Sequence, residues 1–203
     1  MLLLATAMPV WATPEEDFRE GRRAYFAGDM AGATTLLKKS ADVGYAPAQA
    51  LLARLLRQVD SVNEALEYFR KSAAQGYTEA QFELGAMYAT GEGVKRNPVE
   101  ARRWMIRAAE NGHRPAIIVM ADAYIKGGLD LDENERTGPA ARQWIRSAAD
   151  NGYVPALEYL ARAYRNGTLG LAVDLKQAEI LEARAKTMRG TRAAGKGKKR
   201  DHD

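Results

Sequence analysis

Cysteine is missing altogether from these 203 residues, which rules out disulfides, a thiolate nucleophile and any cysteine-ligated zinc site. Histidine is nearly missing too. His113 and His202 are the only two, too few for a histidine-based metal site or a chain of proton relays. No serine has a lysine three positions on: Ser40, Ser61, Ser72 and Ser147 are followed there by Val43, Glu64, Gln75 and Asp150, so the Ser-x-x-Lys nucleophile arrangement is lacking. No apolar run approaches the roughly 20 residues that a membrane-spanning helix needs. No enzyme class, cofactor or metal is suggested by what remains.

Charge is present but unevenly placed. Residues 189–203 hold six basic side chains (Arg189, Arg192, Lys196, Lys198, Lys199, Arg200) against Asp201 and Asp203, and this accounts for the whole net charge of +4. Over residues 1–188 the basic and acidic groups balance. The body is neutral and the basic character belongs to one end. That end, 189–203, lacks apolar periodicity and is expected to be a disordered basic tail. An anionic polymer or a membrane surface would suit it, and a plain solubilising end is the competing reading. Nucleic acid fits less well, because no aromatic side chain is interleaved to stack on bases.

At the other end, residues 1–12 form a short apolar run closing on Ala12, before the acidic start Thr13-Pro14-Glu15-Glu16. This has the hydrophobic and small-residue portions of a secretory signal without the basic leading portion. The expectation is a signal peptide, whole or cut short, and a periplasmic or secreted protein. The alternative is an apolar stub packed on the first helix of a cytoplasmic protein.

Between the two ends the chain repeats. Gly44, Gly76, Gly112 and Gly152 each close a helical pattern, at intervals that lengthen along the chain. Alanine pairs precede three of them: Ala73-Ala74, Ala108-Ala109 and Ala148-Ala149. Each unit reads as two helices. The connection inside the pair grows from about three residues after Gln58 to about six after Thr90 and about ten after Lys126. Start signals support the division: Ser61 with Glu64, Asn97-Pro98-Val99-Glu100, and Asp174 with Gln177 are capping patterns. In the first pair, 15–44, Phe18, Tyr25 and Phe26 supply bulk, and Ala33, Leu36, Leu37 and Ala41 mark the facing apolar stripe.

Residues 77–112 are the most regular unit. Ala80, Leu84-Gly85, Tyr88, Gly91-Glu92-Gly93-Val94, Asn97, Ala101, Trp104, Ala108-Ala109 and Gly112 together resemble the Sel-1-like repeat, a relative of the tetratricopeptide repeat with a longer turn. The next unit keeps Ala116, Tyr124, Trp144, Ala148-Ala149 and Gly152; the last keeps Ala156, Leu160, Tyr164, Gly167, Gly170, Asp174 and Ala178. The resemblance extends over 45–188, with 15–44 as a tetratricopeptide-like first pair. It implies an all-α fold, a right-handed α-α superhelix (solenoid) of about five antiparallel helix pairs. It further implies a non-catalytic scaffold or adaptor that binds a protein partner, in a bacterial envelope or in regulated assembly.

In related solenoids the first helix of each pair lines the concave side. Carried over, this places Arg54, Arg57, Phe82, Thr90, Asp122, Lys126, Glu158, Arg162 and Arg165 on the partner-binding surface. Arg54 with Arg57 and Arg162 with Arg165 are spaced i, i+3, so each pair shares a helix face and could clamp carboxylates or sugar phosphates. An ordinary solvated helix face is the competing reading. Other functions stay open: a peptidoglycan-binding factor or hydrolase, like some cysteine-rich relatives, or a cytosolic adaptor. Those relatives fix their stacking with disulfides that this chain cannot make. The loop Asp130-Leu-Asp132-Glu-Asn134 echoes a calcium loop, but Glu135 and Ala141 stand where its glycine and bidentate glutamate belong, so an exposed acidic linker is the better reading.

Overall fold

A computed structural model describes residues 12–197, with side chains to Thr191. The expected signal peptide, but for Ala12, and the end of the basic tail lie outside the described residues. Helices follow in pairs: α1 (Pro14–Phe26) and α2 (Met30–Asp42), α3 (Ala46–Gln58) and α4 (Val62–Ala74), α5 (Thr78–Thr90) and α6 (Pro98–Glu110), α7 (Arg114–Lys126) and α9 (Pro139–Asp150), α10 (Val154–Asn166) and α11 (Leu175–Gly197). A single-turn helix, α8 (Glu133–Thr137), lies inside the fourth pair. No strand occurs among the described residues, and the chain is an all-α repeat of the solenoid class. None of these helices is long and apolar enough to cross a membrane.

Two compact units form: one of residues up to Leu84 with Glu92–Val94, the other of Gly85–Gly91 with Lys95 onward. Within each, helices adjacent in sequence pack together: α1 on α2, α2 on α3 and α3 on α4 in the first, α6 on α7, α9 on α10 and α10 on α11 in the second.

The repeating glycines end their helices in one way. Gly76 and Gly112 have φ of 86° and 79°, in the left-handed region, and nothing lies within 4 Å of where a Cβ would be. The requirement is therefore conformational and not steric. The residue after each glycine donates back to the helix: Tyr45 to Ser40 and Tyr77 to Ser72 at 3.2 Å, His113 to Ala108 and Tyr153 to Ala148 at 2.9 Å. This is the six-to-one bond of a Schellman ending. His113 sits at that position, and its Nδ1 accepts the Ala116 amide at 3.3 Å as the cap of α7.

The two units fill equivalent buried positions differently. In the N-terminal unit, Ser40 and Ser72 donate to the Pro14 and Ala46 carbonyls at 2.5 and 2.7 Å. Gln49 and Gln81 donate to the Ala41 and Ala73 carbonyls at 3.1 and 3.4 Å. All four side chains are buried. In the C-terminal unit, the residues at the same distances from the closing glycines are Ala108 and Ala148, Ile117 and Leu157, also buried.

Three expectations are corrected. Ser61 stands before α4 but makes no side-chain cap bond; its ψ of 53° is not the extended geometry of a capping residue, because the tight turn through Asp60 (φ 62°) sends its amide to the Leu56 carbonyl at 2.9 Å. The acidic connection after α7 is not wholly loop: Asp132 and Glu135 form a capping box, with bonds of 2.8 and 3.0 Å, and nucleate α8. Residues 189–197 continue α11, which runs past the end of the repeat pattern at Met188. Gly190 does not take the left-handed turn that would end the helix, and Arg189 pairs with Glu158 on α10.

Candidate functional site: an aromatic hollow in the N-terminal unit

Most of the first-helix residues expected to hold a partner are already engaged within the chain. Arg54 pairs with Glu79 at 3.0 Å, and Arg57 bridges Glu83 and Glu92 at 2.8 and 3.2 Å, tying α3 to α5 and to the turn after it. Phe82, on α5, is half-buried. In the C-terminal unit, Thr90 donates to the Ala86 carbonyl at 3.1 Å. Asp122 accepts from Lys126 at 2.6 Å and from the Tyr153 hydroxyl at 2.7 Å. Glu158 pairs with Arg189, Arg165 with Glu182 at 2.7 Å, and Arg162 stacks 5.6 Å from the Tyr159 ring centre. Exposed pairs of this kind stabilise by about 0–1 kcal/mol each. They present a partner with neutralised charge and not with free clamps. A carboxylate approaching Arg57 would have to displace two others.

The acidic connection is likewise occupied. Asp132 serves as a helix cap, and Asp130 is held by two bonds from Arg96, at 2.8 and 3.2 Å. The Arg96 guanidinium lowers the Asp130 carboxyl below its ordinary value of 3.8, and desolvation opposes it. No group of three or more possible metal ligands exists among the described residues.

Among the described residues, four hollows have the size to take a side chain; one of ≈ 340 Å³, bordered by Met30, Leu52, Leu55, Leu56 and Val59, has no charged or aromatic lining group. The largest, ≈ 480 Å³ along α9, is lined by Arg142 and Arg146, which are spent on the Leu169 and Gly170 carbonyls and on the Tyr164 hydroxyl. Another, ≈ 370 Å³, lies between Ile118, Val119, Leu129 and Tyr153, with the Asp122–Lys126 pair at its edge.

The fourth differs in chemistry. It measures ≈ 310 Å³ and is lined by Phe18, Arg22, Tyr25 and Phe26 of α1, Pro47, Ala50, Leu51 and Arg54 of α3, and Tyr77 just before α5. Residues 18, 22 and 25 on α1 and 47, 51 and 54 on α3 have the same i, i+4, i+7 spacing, so each helix offers one stripe to the hollow. Phe18 meets Tyr45 edge to face at 5.4 Å, and Tyr25 meets Phe26 at 5.3 Å. Arg22 lies 5.7 Å from the Phe18 ring centre. Burial raises the Tyr77 phenol above its ordinary value; Glu79 adds to this, and Arg54 and Arg22 oppose it. Both guanidinium groups therefore lie within electrostatic reach of one hydroxyl.

The expectation of packing bulk is corrected for Phe26, which is 79% exposed, while Phe18 and Tyr25 are half-buried. The sequence signal was three aromatics within nine positions of one first helix, more than that helix can bury against α2 and α3. Of the residues named from the resemblance, only Arg54 lines this hollow.

Four copies of the Sel1 repeat match the chain, at residues 46–77, 78–113, 115–153 and 154–181. The chain belongs to the Sel1 repeat family. The first three matched spans start and stop at the Schellman endings, so there the family repeat and the structural repeat coincide; the fourth stops inside α11. DAP3-binding cell death enhancer 1 of Rattus norvegicus is 38% identical over 86 residues, covering 41% of this chain and 17% of that protein. An exopolysaccharide production negative regulator of Rhizobium meliloti is 38% identical over 61 residues, covering 30% of this chain and 23% of the other. The match thus spans about a fifth of the length of these relatives. Among solved structures, a Sel1 repeat protein from Oxalobacter formigenes superposes with a TM-score of 0.60 and 26% identity, over 86% of this chain and 71% of that one. This Sel1-repeat chain is a helical scaffold of the kind suited to protein–protein interaction.

Proposed function

We propose that this Sel1-repeat protein is a binding scaffold, without chemistry of its own, that docks a segment of a partner protein in the aromatic hollow between α1 and α3. The observation that carries the reading is Phe26, exposed beside Phe18, Tyr25 and Tyr77, while the arginines of the neighbouring first helix, Arg54 and Arg57, are paired internally. A phenyl ring left in water next to other aromatic faces gains about 1.5–3 kcal/mol when it is covered, and aromatic clusters dominate interface energetics. The names of two relatives point the same way: one is a DAP3-binding protein and the other a negative regulator of exopolysaccharide production.

The proposed compartment is the cell envelope. The support is the apolar run of residues 1–12 followed directly by the acidic start of α1. Recovery of the chain in a periplasmic extract, with an N-terminus after Ala12, is the expected result; an intact Met1 in the cytosolic fraction would favour the adaptor reading.

Docking is tested by purifying the tagged protein from its own cells at native levels. Phe26→Ser should strip the co-purifying partner, whereas Val99→Ser, at a 63% exposed apolar position on α6, should retain it. Equal retention by both variants would refute the hollow as the docking site.

A further inference from the structure

The hollow carries a chemical preference, and this inference rests on the docking reading above. Its only charged lining residues are Arg22 and Arg54. Arg54 is shared with Glu79, but Arg22 has no carboxylate within ion-pair distance among the described residues. Its neighbours on α1 do: Arg19 pairs with Glu16 at 4.0 Å and Arg23 with Glu20 at 2.6 Å. The one cation left over on α1 is the one that faces the hollow.

Arg22 is also placed for an anion. A guanidinium packed against a phenyl ring keeps its N–H groups directed outward and loses little freedom on binding, which favours planar carboxylates. The floor beneath it, made by Phe18, Tyr25, Leu51 and Pro47, is apolar or aromatic and holds about one large side chain at ≈ 310 Å³. A basic segment would meet two arginines with no lining acid to receive it. An uncharged apolar segment would cover Arg22 without compensating it, at a desolvation cost.

We propose that the hollow receives an acidic segment of a partner protein, with a large apolar side chain between Phe18, Tyr25, Phe26 and Leu51 and an adjacent carboxylate on Arg22. Complementary charge of this kind selects among partners and speeds encounter, and it weakens as salt is added.

The test uses the full chain and two fluorescein-labelled peptides that share a central Leu-Phe pair, one flanked by aspartates and the other by lysines, titrated by fluorescence anisotropy at low salt. The acidic peptide should bind at least about tenfold more tightly, since like charge at an interface is strongly disfavoured. Arg22→Glu should abolish or invert that preference. The same charge change at Arg184, exposed on α11, should leave it intact and so separates the site from the overall basic charge of the chain. Phe26→Ser should weaken both peptides. A lysine peptide that binds as well as the acidic one, or a preference that falls equally with Arg184→Glu, overturns the acidic-segment assignment while a loss with Phe26→Ser still supports docking. Binding unchanged by Phe26→Ser overturns the hollow itself. Both arginines are exposed, so the variants should melt with the wild type, which circular dichroism checks.

Discussion

The two units solve one packing problem with different chemistry. In the N-terminal unit the turns are short and the helices are pinned by buried side-chain bonds: Ser40 and Ser72 to the start of the preceding first helix, Gln49 and Gln81 to the end of the preceding second helix, and Gln75 to Gln49 at 2.8 Å. In the C-terminal unit those positions are alanine, isoleucine and leucine, and arginines instead hold the longer connections. Arg102 reaches the Leu129 carbonyl at 2.7 Å, Arg142 reaches Leu169 and Gly170 at 3.2 and 3.0 Å, and Arg136 caps the end of α7 through the Tyr124 and Ile125 carbonyls at 3.1 and 3.0 Å. Leu129 and Leu169 both take left-handed backbone, φ 55° and 58°, a conformation that costs a non-glycine residue about 1–3 kcal/mol. The lesson is that a repeat can lengthen its connection if it supplies a donor for the carbonyls that the longer loop leaves behind. With packing and loops so served, the exposed aromatics of α1 are the feature that neither chemistry explains.

The largest effect should come from the apolar side of this contrast. Leu157 is fully buried, and Leu157→Ala should cost about 2–5 kcal/mol in urea unfolding, at the scale of a core truncation. Gln49→Ala, its polar counterpart, should cost less, about 1–2 kcal/mol, through the space left by a buried side chain and the loss of its bonds to the Ala41 carbonyl, which keeps the Gly44 amide, and to the exposed Gln75. If Gln49→Ala proves the more damaging, the polar pins do more than align helices already held by their alanine and leucine contacts. Arg142→Ala should act more locally. Hydrogen exchange should accelerate across residues 168–174 while α1–α4 keep their protection, with a global loss of about 1–2 kcal/mol.

The smallest effect is acidic. Arg96 depresses the Asp130 carboxyl below 3.8, so the pair stabilises the folded state above that pH and the contribution disappears as the pH falls through the lower folded value. Arg96→Gln should therefore narrow the stability difference between neutral and acid solution. Added salt should mute the change, because both groups are exposed.

Much of the repeat was legible because its determinants are local. Gly44, Gly76, Gly112 and Gly152 set the register, and the caps at Asn97 and Asp174 accept the Glu100 and Gln177 amides as their spacing implied, at 3.2 and 2.9 Å. What escaped depends on contacts distant in sequence. Ser61 has the letters of a capping box and lacks the backbone geometry. The helix at Asp132 was hidden in a loop that reads as acidic linker. Arg102 and Arg142, at equivalent positions of successive repeats, could have been matched with Leu129 and Leu169 by their spacing, but nothing local says that a guanidinium will reach those carbonyls. The arginines chosen for a concave surface were correctly placed on first helices. Their acids lie on the first helix of the following pair, at Glu79 and Glu83, or on a second helix, at Glu182. Periodicity told that Phe18, Tyr25 and Phe26 share a helix; it could not tell that α2 and α3 leave Phe26 uncovered.

The most direct test places a photo-crosslinking amino acid at Phe26 or, in separate cells, at Arg162 on α10, and follows the covalent partner adduct. Docking in the N-terminal hollow predicts an adduct from position 26 and none, or far less, from position 162. An adduct confined to position 162 would contradict it and return the function to the first-helix arginines of the C-terminal unit.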